Sequence, residues 1–398
     1  SRFGDRSTSD VVVRIRTPEG RDDRTYCHSG VLVAKSDYFA ERLSDSWPVC
    51  QIIDSRNCVE VVCEESDFDY HVAVLRLLYS VSGISTPDLY SVGNALGILR
   101  ISVELGCAEI ASACAGYLEC APWEESEEEE ILRVIPNMGS DSEKILARLR
   151  PVDPPSAVGI FLSAIRFATS SPPPSMADLK ISAQEQLEYM LTADEDAPLV
   201  AADDGTRSEA RRCVGELLSR FLALLDDPGA DLSDDRIEPY LSDLSWGSNV
   251  LAKLDASQDF VAAWVESSSV IVSRAATAAA AGRIKVKVLE VAAKVMEAIG
   301  DGNVVIPAGK RARAARTWVP FARSVKSEVE VEGDAELWQS MESALVSVIL
   351  TLPSSEQAEI LKEWLEGVER HLKYPDLTEA FEIWCYRSKV ARRRLGLV

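Results

Sequence analysis

Short apolar runs separated by turn residues open this chain. DVVVRIRT (Asp10 to Thr17) and RTYCHSG (Arg24 to Gly30) flank PEGRDD, in which Pro, Gly and Asp supply a turn. Two β-prone runs around such a turn predict a β-hairpin. The next stretch, HSGVLVAKSDYFAERL (His28 to Leu43), changes period. Val31, Leu32 and Val33 form one apolar cluster, and Tyr38, Phe39 and Leu43 form another. Lys35-Ser36-Asp37 between them reads as a helix stop and restart, with Ser36 placed to cap the second piece. CQII (Cys50 to Ile53) and CVEVVC (Cys58 to Cys63) are short and rich in β-branched residues, as strands are.

From there the pattern is helical. Asp67 is placed to cap a helix whose Phe68, Val72, Leu75 and Tyr79 share one face. Thr86-Pro87 signals another start, followed by a stripe of Leu89, Val92, Leu96 and Leu99. Val103, Cys107, Ile110, Cys114 and Tyr117 make a further stripe. The first 120 residues therefore read as a small sheet followed by stacked helices. The acidic EESEEEE (Glu124 to Glu130) precedes ILRVIP, where negative charge favours a helix N-terminus. Residues 191–208 are the weakest-patterned part and read as a loop or linker. Segments near 209–226, 248–298, 310–325, 335–352, 355–371 and 376–394 read as helices, with no fixed-period repeat.

Several of these stretches carry a resemblance. Asp10 precedes the first strand, and CHSGVLVAKSDYFAERL is similar to the His-x-x-Val-Leu…Ser-x-Tyr-Phe pattern of the BTB/POZ domain. FDYHVAVLRLLYS resembles the segment that ends in that family's Tyr-Thr-Gly, with Ser80 where Thr is usual. YLECAPWEESEEEEI, TWVPFAR, LTLPSSEQAEILKEWL and YPDLTEAFEIWCYRSKVARRRL look like segments of plant BTB/POZ proteins with a long helical C-terminal region. The resemblance implies an α+β BTB/POZ domain over 1–120, a helical BACK-like linking region over 121–195 and a mostly all-α interaction domain over 196–398.

Composition then narrows the function. A net charge of −22 over 398 residues disfavours direct binding to a phosphate backbone. Nine cysteines without paired short spacings suit free thiols better than a disulfide frame. No apolar run approaches the roughly 18 residues of a membrane span. No secretory signal opens the sequence, which begins SRFGDRSTSD without an initiator Met. The expectation is an intracellular protein, cytoplasmic and/or nuclear, with residues upstream of Ser1.

Chemistry is sparse. His28, His71 and His371 have no partners at catalytic or metal-ligand spacing, and no CxxC pair points to zinc. Cys27 beside His28 falls short of a nucleophile pair, because adjacent strand residues face opposite ways. GDGNVVIPAGKRAR (Gly300 to Arg313) fails the phosphate-loop pattern: Gly309-Lys310 is followed by Arg311, and Val304 stands where the first Gly is needed. Asp203-Asp204 and Asp234-Asp235 are acidic pairs in polar sequence, where a metal site competes with plain solvation. Trp123, Trp318, Trp338, Trp364 and Trp384 fall on apolar faces, which makes packing their default role. No catalytic residue, cofactor or metal is expected.

The function implied by the resemblance is therefore interaction with proteins. Val31, Leu32, Tyr38 and Phe39 are expected at a homodimer interface, sharing their hairpin with the subunit core. Family resemblance implies a substrate adaptor that docks cullin 3 and presents an unnamed protein for ubiquitin transfer. Trp47 and Pro48 are the candidate cullin contact, although SDSWPVCQII (Ser44 to Ile53) lacks the hydrophobic-x-Glu element common in cullin binders. The alternative is a dimeric scaffold or regulator in signalling or transcription without a ligase. Arg387, Lys389, Arg392, Arg393 and Arg394 form a basic patch with three readings: a solvated helix end, a clamp on acidic helices, or a partner or nuclear-import patch.

Overall fold

The computed structural model describes residues 2–44, 51–80, 83–84, 86–137, 142–193, 197–227, 234–277, 282–329, 335–368 and 373–396. They fall into two compact units, Ser1–Pro151 and Val152–Val398, and each has its own hydrophobic core.

The first unit is built on a four-stranded sheet. Strands β1 (Val11–Arg16) and β2 (Asp22–Cys27) form the expected antiparallel hairpin. Gly20, with φ +102°, supplies the turn and donates its amide to the Thr17 carbonyl at 3.1 Å. Helices α1 (Ser29–Lys35) and α2 (Asp37–Arg42) follow, separated at Ser36. The Ser36 hydroxyl accepts the Phe39 amide at 3.3 Å and donates to the Leu105 carbonyl at 2.6 Å. One serine thus caps α2 and ties it to a later element. Strands β3 (Gln51–Ile53) and β4 (Arg56–Val62) complete the order β2-β1-β4-β3, with β4 parallel to β1 and antiparallel to β3.

Six further helices share the core of this unit: α3 (Phe68–Leu77), α4 (Thr86–Leu89), α5 (Val92–Glu104), α6 (Ala108–Cys120), α7 (Glu125–Val134) and α8 (Ser142–Leu146). Val11, Val13 and Ile15 of β1 and Val59 and Val61 of β4 meet Leu75, Ala95, Leu99 and Leu118 in the core. Gly97 lets α5 approach α3: a Cβ there would lie 2.3 Å from the Tyr70 ring. Glu124 and Glu127 form a reciprocal capping box at the start of α7, so the acidic run is a helix N-terminus.

Three expectations change. Asp67 makes no side-chain cap; its carboxylate pairs with Arg100, while its carbonyl accepts the His71 Nδ1–H at 2.9 Å. The helix expected from Thr86 breaks at Tyr90, whose φ is +38°, and Ser91 caps α5 by accepting the Asn94 amide at 3.1 Å. Val103 is exposed at the end of α5, and Cys107 precedes α6, so the second apolar stripe spans a helix break.

The second unit contains helices and no strand among its described residues: α9 (Pro154–Ala168), α10 (Ala177–Leu191), α11 (Asp204–Asp226), α12 (Asp234–Lys253), α13 (Gln258–Thr277), α14 (Gly282–Gly300), α15 (Ala308–Glu328), α16 (Ala335–Leu350), α17 (Ser354–Val368) and α18 (Thr378–Arg394). The stretch 121–195, expected as one linking region, is shared between cores: Ile131 and Ile145 join the first, Phe161 and Leu187 the second. In the second core Trp264 stacks between Phe221 and Trp318, with ring centroids 6.4 and 6.3 Å apart, and Phe260 lies tilted against Trp264 at 6.2 Å. The segment expected as continuous helix over 248–298 is divided. Asp255, with φ +53°, ends the first part, and α12 reaches back to Asp234 through Pro239.

Candidate interaction surface

The residues that carry the family pattern do structural work. Asp10 accepts the Ser29 amide at 2.7 Å and the Ser29 hydroxyl, pinning the start of α1 to the start of β1. Burial works to raise the Asp10 carboxyl, but the two bonds from Ser29, with Asp10's own amide and His28, together hold it below the usual carboxylate range. The Tyr79 hydroxyl accepts the His28 amide at 2.6 Å and lies 3.1 Å from His28 Nδ1. Thr8 Oγ1 lies 2.9 Å from Nε2 of the same ring. Both ring nitrogens of His28 are therefore engaged, which leaves it an orienting role.

The four residues expected at a dimer interface divide by burial. Leu32 and Phe39 are fully buried inside the first unit's own core. They leave no surface for a second subunit and are removed from the interface set. Val31 and Tyr38 are half-buried, and Tyr38 packs under the Arg42 guanidinium at 4.5 Å from its ring centroid. Val33, missed by the sequence reading, is 44% exposed on α1. Three apolar residues in a row cannot all face one side of a helix, and that is the signal that would have found it.

Trp47 and Pro48 lie outside the described residues. Of the same loop, Ile52 is described and is 74% exposed on the edge strand β3. The face of the sheet away from the core is a paired charged layer. Arg14 pairs with Asp22, Arg16 with Glu60 at 2.9 Å, and Arg6 with Asp54 at 2.9 Å. The Arg6 and Arg56 guanidiniums both lie over the Tyr26 ring, and the Tyr26 hydroxyl donates to Asp54 at 2.8 Å. Val12 and Cys58 are buried beneath this layer. Among the described residues, Lys35, Leu77, Ser80, Ile84, Glu109 and Ala113 line a groove of about 250 Å³ in this unit.

The candidates for chemistry resolve toward packing. Burial pushes the Cys27 thiol up to about 12 and the Cys114 thiol likewise, the opposite of an activated nucleophile. His71 is buried with its Nδ1–H on the Asp67 carbonyl, and His371 lies outside the described residues. Asp203 accepts the Thr206 amide at 2.6 Å as the cap of α11; that bond holds its carboxyl below the usual range. The Asp234 side chain is outside the described residues, and among those described no cluster has the makeup of a metal site. Gly300–Arg313 is a helix–turn–helix passage in which Lys310 pairs with Glu266 at 2.8 Å. Among the described residues no helix is long and apolar enough to cross a membrane.

A BTB/POZ domain-containing protein of Arabidopsis thaliana is 50% identical to this chain, covering all of it and 95% of the relative. The chain belongs to the BTB/POZ family. Two further Arabidopsis thaliana BTB/POZ domain-containing proteins are 24% and 20% identical, over 97% and 90% of this chain and 73% and 68% of theirs. A family model described as BTB/POZ Ankyrin-like repeat matches residues 230–391. No solved structure matches.

The match to that family model covers the helical unit of this BTB/POZ protein from α12 into α18. Trp318, Trp338 and Trp364 are buried there as expected; Trp384 and, in the first unit, Trp123 are half-buried. Helix α18 docks by its first half only. Leu377 and Ala380 are buried, Phe381 and Trp384 pack on the core, and Trp384 Nε1–H donates to the Ser354 carbonyl at 2.9 Å. Cys385, next to Trp384, is exposed. Arg387, Lys389, Arg393 and Arg394 are exposed, and Arg387 donates to the Leu350 carbonyl at 3.2 Å; the Arg392 side chain is outside the described residues.

Proposed function

We propose that this BTB/POZ protein is a non-catalytic protein-interaction adaptor, the substrate-recognition subunit of a cullin 3-type ubiquitin ligase. The observation that carries this reading is the pairing, in one chain, of a BTB/POZ unit and a helical unit with separate cores. Two units with their own cores can hold two partners without one site being rebuilt for the other. In this reading the first unit self-associates through Val31, Val33 and Tyr38 and meets the cullin near Trp47, Pro48 and Ile52. The helical unit holds the protein to be modified. The exposed Arg387, Lys389, Arg393 and Arg394, with Arg392, serve a partner or nuclear import, giving a protein of cytoplasm and nucleus.

A second reading, a dimeric scaffold or regulator without a ligase, draws support from the sequence Ser44 to Ile53, which contains no Glu. Calorimetric titration of the purified full-length chain with the N-terminal region of cullin 3 separates them. The adaptor reading expects saturable binding that weakens when Trp47 becomes Ala. Absence of heat at micromolar concentrations favours the scaffold. Light scattering on the same sample reads the oligomeric state, and a strictly monomeric chain overturns the self-association common to both.

A further inference from the structure

Three Ser/Thr-Pro pairs occur in this sequence: Thr17-Pro18, Thr86-Pro87 and Ser171-Pro172. Their surroundings differ. Thr17 is 5% exposed, and its hydroxyl donates to Glu65 at 2.9 Å. Thr86 is the first residue of α4. Ser171 lies in the connection between α9 and α10, is exposed, and makes no hydrogen bond through its hydroxyl among the described residues. The neighbouring Ser170 differs, for its hydroxyl donates to the Phe167 carbonyl at 2.7 Å. Three prolines follow Ser171, and Pro173 has φ −60° and ψ 154°, an extended polyproline conformation. The hydroxyl is thus presented on stiff, extended chain that an enzyme cleft can grip without melting a helix.

Cations already gather on the carbonyls just before it. The Thr169 carbonyl accepts Arg220 Nη2 at 2.5 Å, and the Ser170 carbonyl accepts Lys180 Nζ at 2.9 Å. Lys180 also pairs with Asp243, whereas Arg220 has no carboxylate partner among the described residues. A cleft of about 530 Å³ opens beside them, lined by Arg166, Thr169, Ser170, Arg212, Ser219 and Arg220. Arg166 and Arg212 spend their charge on Glu209, at 2.5 and 2.7 Å. Arg220 is left as the uncompensated charge. A guanidinium in that state is a fitting receiver for a phosphate dianion, which it can take in two parallel hydrogen bonds.

We propose that Ser171 is the phosphoacceptor for a proline-directed protein kinase, and that Arg220, assisted by Lys180, holds the resulting phosphate. In the transfer, Ser171 Oγ bonds to the γ-phosphorus of ATP as that phosphorus parts from the bridging oxygen. ADP leaves with the electron pair, and the hydroxyl proton passes to the kinase's base. The new charge joins the ends of α9, α10 and α11 by charge-assisted hydrogen bonds, so modification stiffens this corner of the helical unit.

The test uses the full-length chain, ATP and a purified proline-directed kinase, with phosphopeptides mapped by mass spectrometry. Label on Ser171 that disappears in Ser171→Ala is the expected result. Absence of label, or label that persists on Thr86 or elsewhere in Ser171→Ala, overturns the assignment of the acceptor. Melting curves of each protein before and after phosphorylation then read the receiver. Wild type gains roughly 2–4 °C, the shift that about one good interaction gives a unit of this size, and Arg220→Gln gains nothing over its own unphosphorylated form. An equal gain in Arg220→Gln removes Arg220 from the proposal.

Discussion

The Tyr79 hydroxyl accepts the backbone amide of His28 at 2.6 Å and stands 3.1 Å from the same residue's Nδ1. A residue near the end of α3 thereby fixes the junction between β2 and α1, 51 positions away in sequence. Tyr79→Phe should keep the ring's edge contact with Phe3 but strand the His28 backbone amide in a half-buried site. The expected loss is about 1–3 kcal/mol, seen as a lower urea midpoint for the full-length chain. A midpoint equal to wild type would show that water replaces the hydroxyl at no cost.

Glu209 accepts from Arg212 and also from Arg166, and these bonds, Arg212's first, hold its carboxyl down to about 2 from an ordinary value of 4.5. Because the folded-state value is depressed, the stabilisation is fully present above about 4.5 and is lost as pH falls toward about 2. Glu209→Gln should therefore be less stable than wild type at pH 7, with a gap that closes between pH 4.5 and 2 and narrows with salt. A gap independent of pH would assign the effect to packing.

Thiol reactivity should follow burial. Cys27, Cys107 and Cys114 are buried, and burial raises them to about 12, 11 and 12, whereas Cys120 and Cys385 are exposed. Alkylation of the native protein at pH 8, followed by peptide mass spectrometry, should label Cys120 and Cys385 well before the other three. Rapid labelling of Cys27 would revive it as a nucleophile.

Much of this architecture is legible in the sequence because it is local. The hairpin around Gly20, the restart at Ser36 and the acidic start of α7 rest on turn and cap chemistry within a few residues. What escaped is set by distant partners. Asp67 reads as a cap but is claimed by Arg100, 33 positions on. Tyr90 takes a positive φ that no composition signal announces. Leu32 and Val33 are adjacent apolar residues, and only the packing of α1 on the sheet decides that the first is core and the second surface. Likewise, the free hydroxyl of Ser171 is distinguished from the buried Thr17 by environment and not by motif.

Deleting residues 376–398 should lower the melting temperature markedly. It removes Leu377, which is fully buried, and the core contacts of Phe381 and Trp384, at about 1.5–3 kcal/mol for a fully buried large apolar side chain. Reversing the charge of Arg393 and Arg394, both exposed, should leave the melt nearly unchanged, since exposed charges contribute little to stability. An unchanged melt after the deletion would show that α18 is not packed on the core, and a charge reversal that lowers the melt as much as the deletion would place its docking in the second half of the helix.

Affinity purification of the tagged full-length chain from plant cells, with the recovered proteins identified by mass spectrometry, tests the adaptor function most directly. Cullin 3 should be recovered together with at least one further protein, Trp47→Ala should lose the cullin but keep the other, and both should survive charge reversal within the sheet's paired layer. Recovery of neither a cullin nor any second protein above the untagged control would contradict the adaptor function.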